Sequence, residues 1–178
     1  MFLSEQAGTV IQIRPERPTD VEAIRRVNRA AFDTSAEADL VDALRVQADP
    51  IVSLVADDVR SIVGHICFSP VSLSGHEELK VMGLAPMAVI PREQRRGVGT
   101  ALIRAGLEQC WQLGFEAVVV VGHPAYYPKF GFVRASRFGI TCEYDVPDDV
   151  FMALELMPGA LAGKSGTVRY HAAFASVS

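Results

Sequence analysis

The sequence predicts a mixed α/β fold, and three features carry that prediction. Two stretches near the start repeat their apolar residues at helical spacing. Three runs rich in β-branched and aromatic residues follow, separated by short polar turns. A helical segment then leads into an almost wholly apolar, β-branched run at residues 116–121, as a strand buried on both faces requires. A chain of 178 residues predicts one domain, 1–178, and can bury roughly 70% of the surface its unfolded form exposes.

Residues 10–14 alternate and read as a first strand, punctuated by Pro15 and Pro18. Thr19 and Glu22 stand at the spacing of a capping box, and Val21, Ile24, Val27 and Ala31 continue a helix to about Phe32. Thr34 and Glu37 form a second such box, opening a helix with Leu40, Val41, Leu44 and Ala48 on its apolar side; Pro50 marks its end. Runs at 51–56, 61–73 and 79–89, with polar turns between them, predict an antiparallel meander. Pro86 falls inside the last run and cannot donate to a sheet ladder, so a bulge or free edge is expected there. Residues 97–113 read as a helix with Leu102, Ile103, Gly106, Leu107, Cys110 and Leu113 on one stripe, Trp111 as packing, and Gly114 as the stop. A short helix is expected at 124–130, further sheet segments from 131 and over 151–157, and a tail, 159–178, whose aromatic end at 170–174 packs back on the body.

Composition narrows the function. Apolar residues make up 49% and charged residues 21%, which is ordinary for a globular chain. A net charge of −4 argues against a general nucleic-acid binder. No apolar run reaches the ~18 residues of a membrane helix, and the first ten residues lack the pattern of a signal peptide. Cys67, Cys110 and Cys142 are odd in number and far apart, so they read as reduced, cytoplasmic thiols.

The strongest local signal is Met87-Ala88-Val89-Ile90-Pro91-Arg92-Glu93-Gln94-Arg95-Arg96-Gly97-Val98-Gly99-Thr100. A strand ends, a basic glycine-bearing loop follows, and a helix begins. The first amides of a helix lack internal partners and carry the positive end of its dipole. Gly97 and Gly99 let a ligand approach the backbone, and Arg92, Arg95 and Arg96 add positive charge, so the segment reads as a phosphate or pyrophosphate site, the alternative being a glycine-rich helix start with solvated arginines. The dinucleotide fingerprint would need a third glycine where Leu102 stands. Gly163-Lys164-Ser165 supplies only the end of a Walker loop, because Pro158 stands where its first glycine belongs.

Gln94-Arg95-Arg96-Gly97-Val98-Gly99 resembles the Q/R-x-x-G-x-G/A signature of the GNAT superfamily of acetyl-CoA-dependent N-acetyltransferases. Ala125-Tyr126-Tyr127-Pro128-Lys129-Phe130-Gly131-Phe132 resembles its aromatic-Tyr-x-x-x-Gly-Phe segment, and the Met87-to-Gly99 segment with Gly122-His123-Pro124-Ala125-Tyr126-Tyr127 looks most like the YhbS-like bacterial branch. The resemblance implies a twisted mixed sheet of about six to seven strands, splayed between the fourth and fifth, flanked by about four helices. It implies acetyl-CoA as acetyl donor, with pantetheine along Met87, Ala88 and Val89. The pyrophosphate would lie on the Gln94, Arg95, Arg96, Gly97, Val98, Gly99 and Thr100 segment, and Tyr126 would act as packing or a cofactor wall. No metal is implied. Tyr127 matches the family's usual general acid, which meets the departing thiolate. The acceptor is expected to be a small-molecule amine or a protein amino group, and the overall acidity leans toward a cationic one.

An alkylammonium near pKa 10.4 lies about 3.4 units above neutrality, so presenting the free amine costs roughly 4.6 kcal/mol. Many relatives place a Glu on the fourth strand for this purpose, whereas residues 82–89 contain no carboxylate. Glu37, Glu77, Glu78, His65 and His123 are the substitutes the sequence offers. His65 and Cys67 share a strand face and read as core rather than as metal ligands; His123 stands where many relatives carry an Asn. The missing carboxylate keeps open a non-catalytic acyl-CoA-binding module, a nucleotide-binding enzyme is a more distant reading, and an apolar tail permits a homodimer.

Overall fold

The computed structural model describes residues 10–177. The N-terminal stretch that shows no signal-peptide pattern lies, apart from Val10, outside the described residues. The chain runs β1 (Gln12–Pro15), α1 (Val21–Phe32), α2 (Ala36–Gln47), β2 (Val52–Asp57), β3 (Ile62–Leu73) and β4 (Val81–Val89). It continues with α3 (Val98–Gln112), β5 (Ala117–Val121), β6 (Val133–Arg134), β7 (Ile140–Cys142), β8 (Phe151–Glu155) and β9 (Gly166–Arg169). β1 to β4 form the expected antiparallel meander. β4 then pairs β5 in parallel, β5 pairs β8 antiparallel, and β6 pairs β8. β9 pairs β3 antiparallel and β7 parallel.

Among the described residues there are nine strands, where six to seven are expected, and three α-helices, where four are expected. The surplus strands β6, β7 and β9 span two to four residues, too few to leave a periodic signal. The expected helix at 124–130 is a single 3-10 turn, Tyr127–Phe130. Pro128 brings no amide to it, and Gly131, at φ 99°, ends it in the left-handed region.

The first capping box does not form. Asp20 does its work, accepting from the Arg17 amide at 2.7 Å and from Arg14 at 2.7 and 3.1 Å. Arg14 also donates to Asp57 at 3.0 Å, so the start of α1 is tied to β1 and β2. The Arg14 guanidinium holds the Asp20 carboxyl below its usual range. The second box does not form either: Ser35 stands at the N-cap, and Thr34 donates to the Glu37 side chain at 3.0 Å and accepts the Ala36 amide at 3.3 Å.

The sheet has two unlike faces. α3 lies on one, its Leu102 and Ile103 packed with Phe68 of β3 in the main core. A Cβ on Gly106 would stand 2.2 Å from the Phe68 ring, so this helix needs a glycine to seat so close to β3. Trp111, expected to pack, is 52% exposed, and Leu113 also faces solvent. On the other face α2 packs Leu40 and Leu44 against Cys67 of β3, with Phe174 of the tail buried among them. Phe174 of the tail therefore turns inward onto the body, as expected.

His65 is fully buried on that second face. Asn28 Nδ2 donates to the Ile24 carbonyl at 3.0 Å and stands 3.4 Å from His65 Nδ1, so Nδ1 is the acceptor nitrogen. Nε2 then carries the proton and donates to Ser53 Oγ at 2.8 Å, and Ser53 donates to Glu16. Burial lowers the His65 pKa to about 4 and pushes the Cys67 thiol up to about 12. Both are core groups. Among the described residues no cluster of three or more His, Cys, Asp or Glu could hold a metal ion.

Candidate active site

The parallel ladder between β4 and β5 runs from Val81 opposite Ala117 to Leu84 opposite Val120 and stops there. β4 goes on to Val89, still paired with β3. Between Met87, opposite Ile66, and Leu84, opposite Phe68, the residues Ala85 and Pro86 face Cys67 alone. That is the bulge expected at Pro86, and it turns β4 away from β5. The result is a split whose edges are residues 85–89 and the end of β5.

The basic loop returns the chain to this split. The Gln94 side-chain amide donates to the Val89 carbonyl at 2.9 Å and pins the loop to the strand end. Arg95 and Gly97 take left-handed conformations, at φ 62° and 83°. Gly97 caps α3 without a side chain, and the first helical bond runs from the Ala101 amide to the Gly97 carbonyl at 3.0 Å. The amides of Val98, Gly99 and Thr100 therefore have no carbonyl one turn back. A Cβ on Gly97 would meet nothing within 4 Å, so the approach is open. Arg92 and Arg96 each lie 3.8 Å from Glu93 and are about two-thirds exposed, so pairing in water leaves most of their field available.

Four of the predicted residues meet here. A Cβ on Gly99 would lie 3.1 Å from the Tyr126 hydroxyl and 3.6 Å from Met87 Cε, and Thr100 Oγ1 is 3.5 Å from that hydroxyl. Tyr126 is thus a wall of the helix start, with Lys129 Nζ over its ring at 4.0 Å. Ala88 stands apart: it lies opposite His65 in the ladder and is buried. Arg95 and Arg96 point into solvent. Val89 enters through its carbonyl, and Val98 is buried.

Tyr127 lies at the other lip. Gly122, directly after β5, lets its ring pass, since a Cβ there would be 2.2 Å from Tyr127 Cε2. Edge-on contacts with Tyr126 at 5.2 Å and Phe132 at 5.6 Å fix the ring. Burial pushes the phenol up to about 12, so it stays protonated at any working pH. Gly122 carries part of the family resemblance in the sequence; the structure adds its physical reason, a glycine immediately after a buried strand that permits close approach.

On the opposite face of the sheet a cavity of about 270 Å³ opens at the same split. Leu84, Ala85 and Val121 form its floor, and Tyr144, Tyr170 and Phe174 its wall. The sequence pattern did not reveal it, because it joins segments far apart in the chain.

The substitutes for the missing carboxylate scatter. Glu77 and Glu78 sit in the β3–β4 turn, where Glu77 accepts the Gly75 amide and Glu78 pairs with Lys164. From Val81 alone the strand still runs roughly 13 Å to Ala85. Glu37 holds Thr34, and His65 is sealed in the core. His123 Nδ1 accepts the Ala125 amide at 3.1 Å, which makes it a turn-former beside the split.

Residues 20–132 match the acetyltransferase (GNAT) family. The chain belongs to the GNAT family. It is 37% identical to the uncharacterized N-acetyltransferase YhbS of Escherichia coli (strain K12) over 163 residues, 91% of this chain and 97% of that protein. It is 38% identical to the uncharacterized N-acetyltransferase YjhQ of the same organism, over 82% of this chain and 85% of that protein. The crystal structure of Escherichia coli YhbS in complex with CoA superposes with a TM-score of 0.88 at 34% identity, covering 98% of this chain and 96% of that one. A GNAT acetyltransferase from Brucella melitensis in complex with acetyl-CoA gives 0.77 at 38% identity, covering 93% and 99%. The mixed open sheet of this GNAT chain, divided between β4 and β5, matches that fold.

Proposed function

We propose that the protein moves an acetyl group from acetyl-CoA to a primary amine by direct attack, with residues 1–178 acting as one N-acetyltransferase domain. The observation that carries this reading is the split: β4 leaves β5 after Leu84, at the edge where α3 presents its uncapped amides. The pyrophosphate is taken on the 95–100 segment, and pantetheine extends β4 along Met87, Ala88 and Val89. This places the thioester at the Pro86 bulge, where an oriented amide that meets the developing oxyanion is worth on the order of 3 kcal/mol. Tyr127, kept neutral by burial, donates a hydrogen bond to the departing thiolate.

Calorimetric titration with acetyl-CoA, with ATP and NAD as controls, tests the donor. Micromolar binding with silent controls is expected, and no binding would overturn the reading. A turnover assay across an amine panel tests transfer. The lack of any carboxylate in β4 (VMGLAPMAV) favours a second reading, a non-catalytic acyl-CoA-binding module, which tight binding without turnover would select.

A further inference from the structure

We infer that the acceptor binds in the cavity on the tail side of the split, and that it is a primary amine on a compact apolar or aromatic body. This rests on the acetyl-transfer reading above. The cavity's position argues for an acceptor. Its floor is Leu84, the last residue paired to β5, Ala85, the first residue of the bulge, and Val121, the end of β5. A thioester held at the bulge from the α3 face therefore exposes its carbonyl carbon toward this space.

The lining argues for the chemistry. Every residue around the cavity is Leu, Ala, Val, Tyr or Phe, and none carries a carboxylate. The neighbouring carboxylate, Glu143, lies outside the lining and already accepts the Tyr170 amide at 3.2 Å, so the ammonium of a polyamine or a lysine side chain would enter a wholly apolar wall, where burying a poorly paired charge is disfavoured. An apolar body gains what the ammonium loses, about 25 cal/mol for each Å² it removes from water. The same desolvation lowers the pKa of an amine, because it penalises only the charged form. The pocket thus favours the free base that attack requires, in a protein whose β4 has no carboxylate to remove the proton. In attack the amine lone pair forms the C–N bond, the C–S bond breaks to CoA thiolate, and the amine's surplus proton leaves to solvent or to that sulfur. A volume of about 270 Å³ admits one ring on a short chain.

The experiment compares 2-phenylethylamine and isoamylamine with spermidine, agmatine and a lysine-containing peptide, using the full-length protein and saturating acetyl-CoA. The apolar amines are expected to lead in kcat/KM by about tenfold or more, the scale a hydrophobic pocket can discriminate. Val146, partly buried in the 143–147 loop, also faces the cavity, and Val146→Trp fills it from outside the sheet. That variant should raise KM for the apolar amines about tenfold and leave the acetyl-CoA Kd unchanged. Phe174→Leu should shift preference toward a larger amine such as 2-naphthylethylamine. Faster turnover of spermidine or the peptide, or a Val146→Trp effect on acetyl-CoA rather than on the amine, would overturn the inference. So would a Val146→Trp effect confined to longer acyl-CoA donors, which would make the cavity an acyl pocket. Acetyl-CoA binding without acetylation of any amine would overturn it and leave the donor site standing. Loss of acetyl-CoA binding in the parent protein would remove the acetyl-transfer reading itself.

Discussion

The two sides of the β4–β5 split are built on opposite plans. The α3 side is polar and local: a loop, a left-handed glycine and one helix start, all within residues 87–100 and backed by Tyr126. The tail side is apolar and assembled from distant pieces, since Ala85, Tyr144 and Phe174 meet only in the folded chain. A site for a charged, invariant ligand can be made from backbone amides, which any sequence carries. A site that selects among amines must use side chains, and those come from loops and termini free to vary. The side proposed for the donor is therefore legible from sequence, and the side proposed for the acceptor is not.

Predictions that would break or sharpen this contrast run from large to small. Tyr127→Phe should lower kcat by about 100-fold or more while the acetyl-CoA Kd stays within about twofold. Because burial pushes that phenol up to about 12, the parent pH–rate profile should show no fall from its ionisation between about pH 8 and 10. A parent-like rate in the variant would remove Tyr127 from the chemistry. Gly106→Val should destabilise the fold by about 1–3 kcal/mol in chemical denaturation, because the added carbons meet Phe68. It should also weaken acetyl-CoA more than the amine, since α3 carries the donor amides. Gly97→Ala should cost about 1–2 kcal/mol for the left-handed conformation. Its effect on binding should fall on acetyl-CoA, with amine KM unmoved.

A separate prediction, outside that order, tests the buried face behind the cavity. His65 has its pKa depressed by burial to about 4, so the unfolded chain takes up a proton on this residue that the folded chain refuses. Its contribution to stability is complete above the unfolded value of about 6.5 and falls as pH drops toward about 4. Denaturation midpoints measured across that window should decline in the parent and decline less in His65→Gln.

Much of the architecture was readable because it rests on local pattern. The meander, α3 and the bulge at Pro86 follow from alternation, helical spacing and a missing amide. The α1 start departs from the predicted box because Asp20 accepts from Arg14, which also bonds Asp57, a contact between segments rather than within one turn. β9 was missed because four residues, Gly166–Arg169, make a strand only when β3 and β7 are there to receive them. Trp111 was misplaced because a large apolar residue next to a buried stripe reads as core until the helix's orientation is known.

The pairing of β9 with β3 also has a consequence for how the molecule comes into being. Ser72 meets Arg169, nearly a hundred residues later in the chain. Closing so long a loop is slow, and during synthesis the donor-side segments leave the ribosome well before the tail does. On the proposed assignment a nascent chain assembles its cofactor cleft first and gains its choice of acceptor last, so a protein clipped before β9 should hold acetyl-CoA and have lost its discrimination among amines.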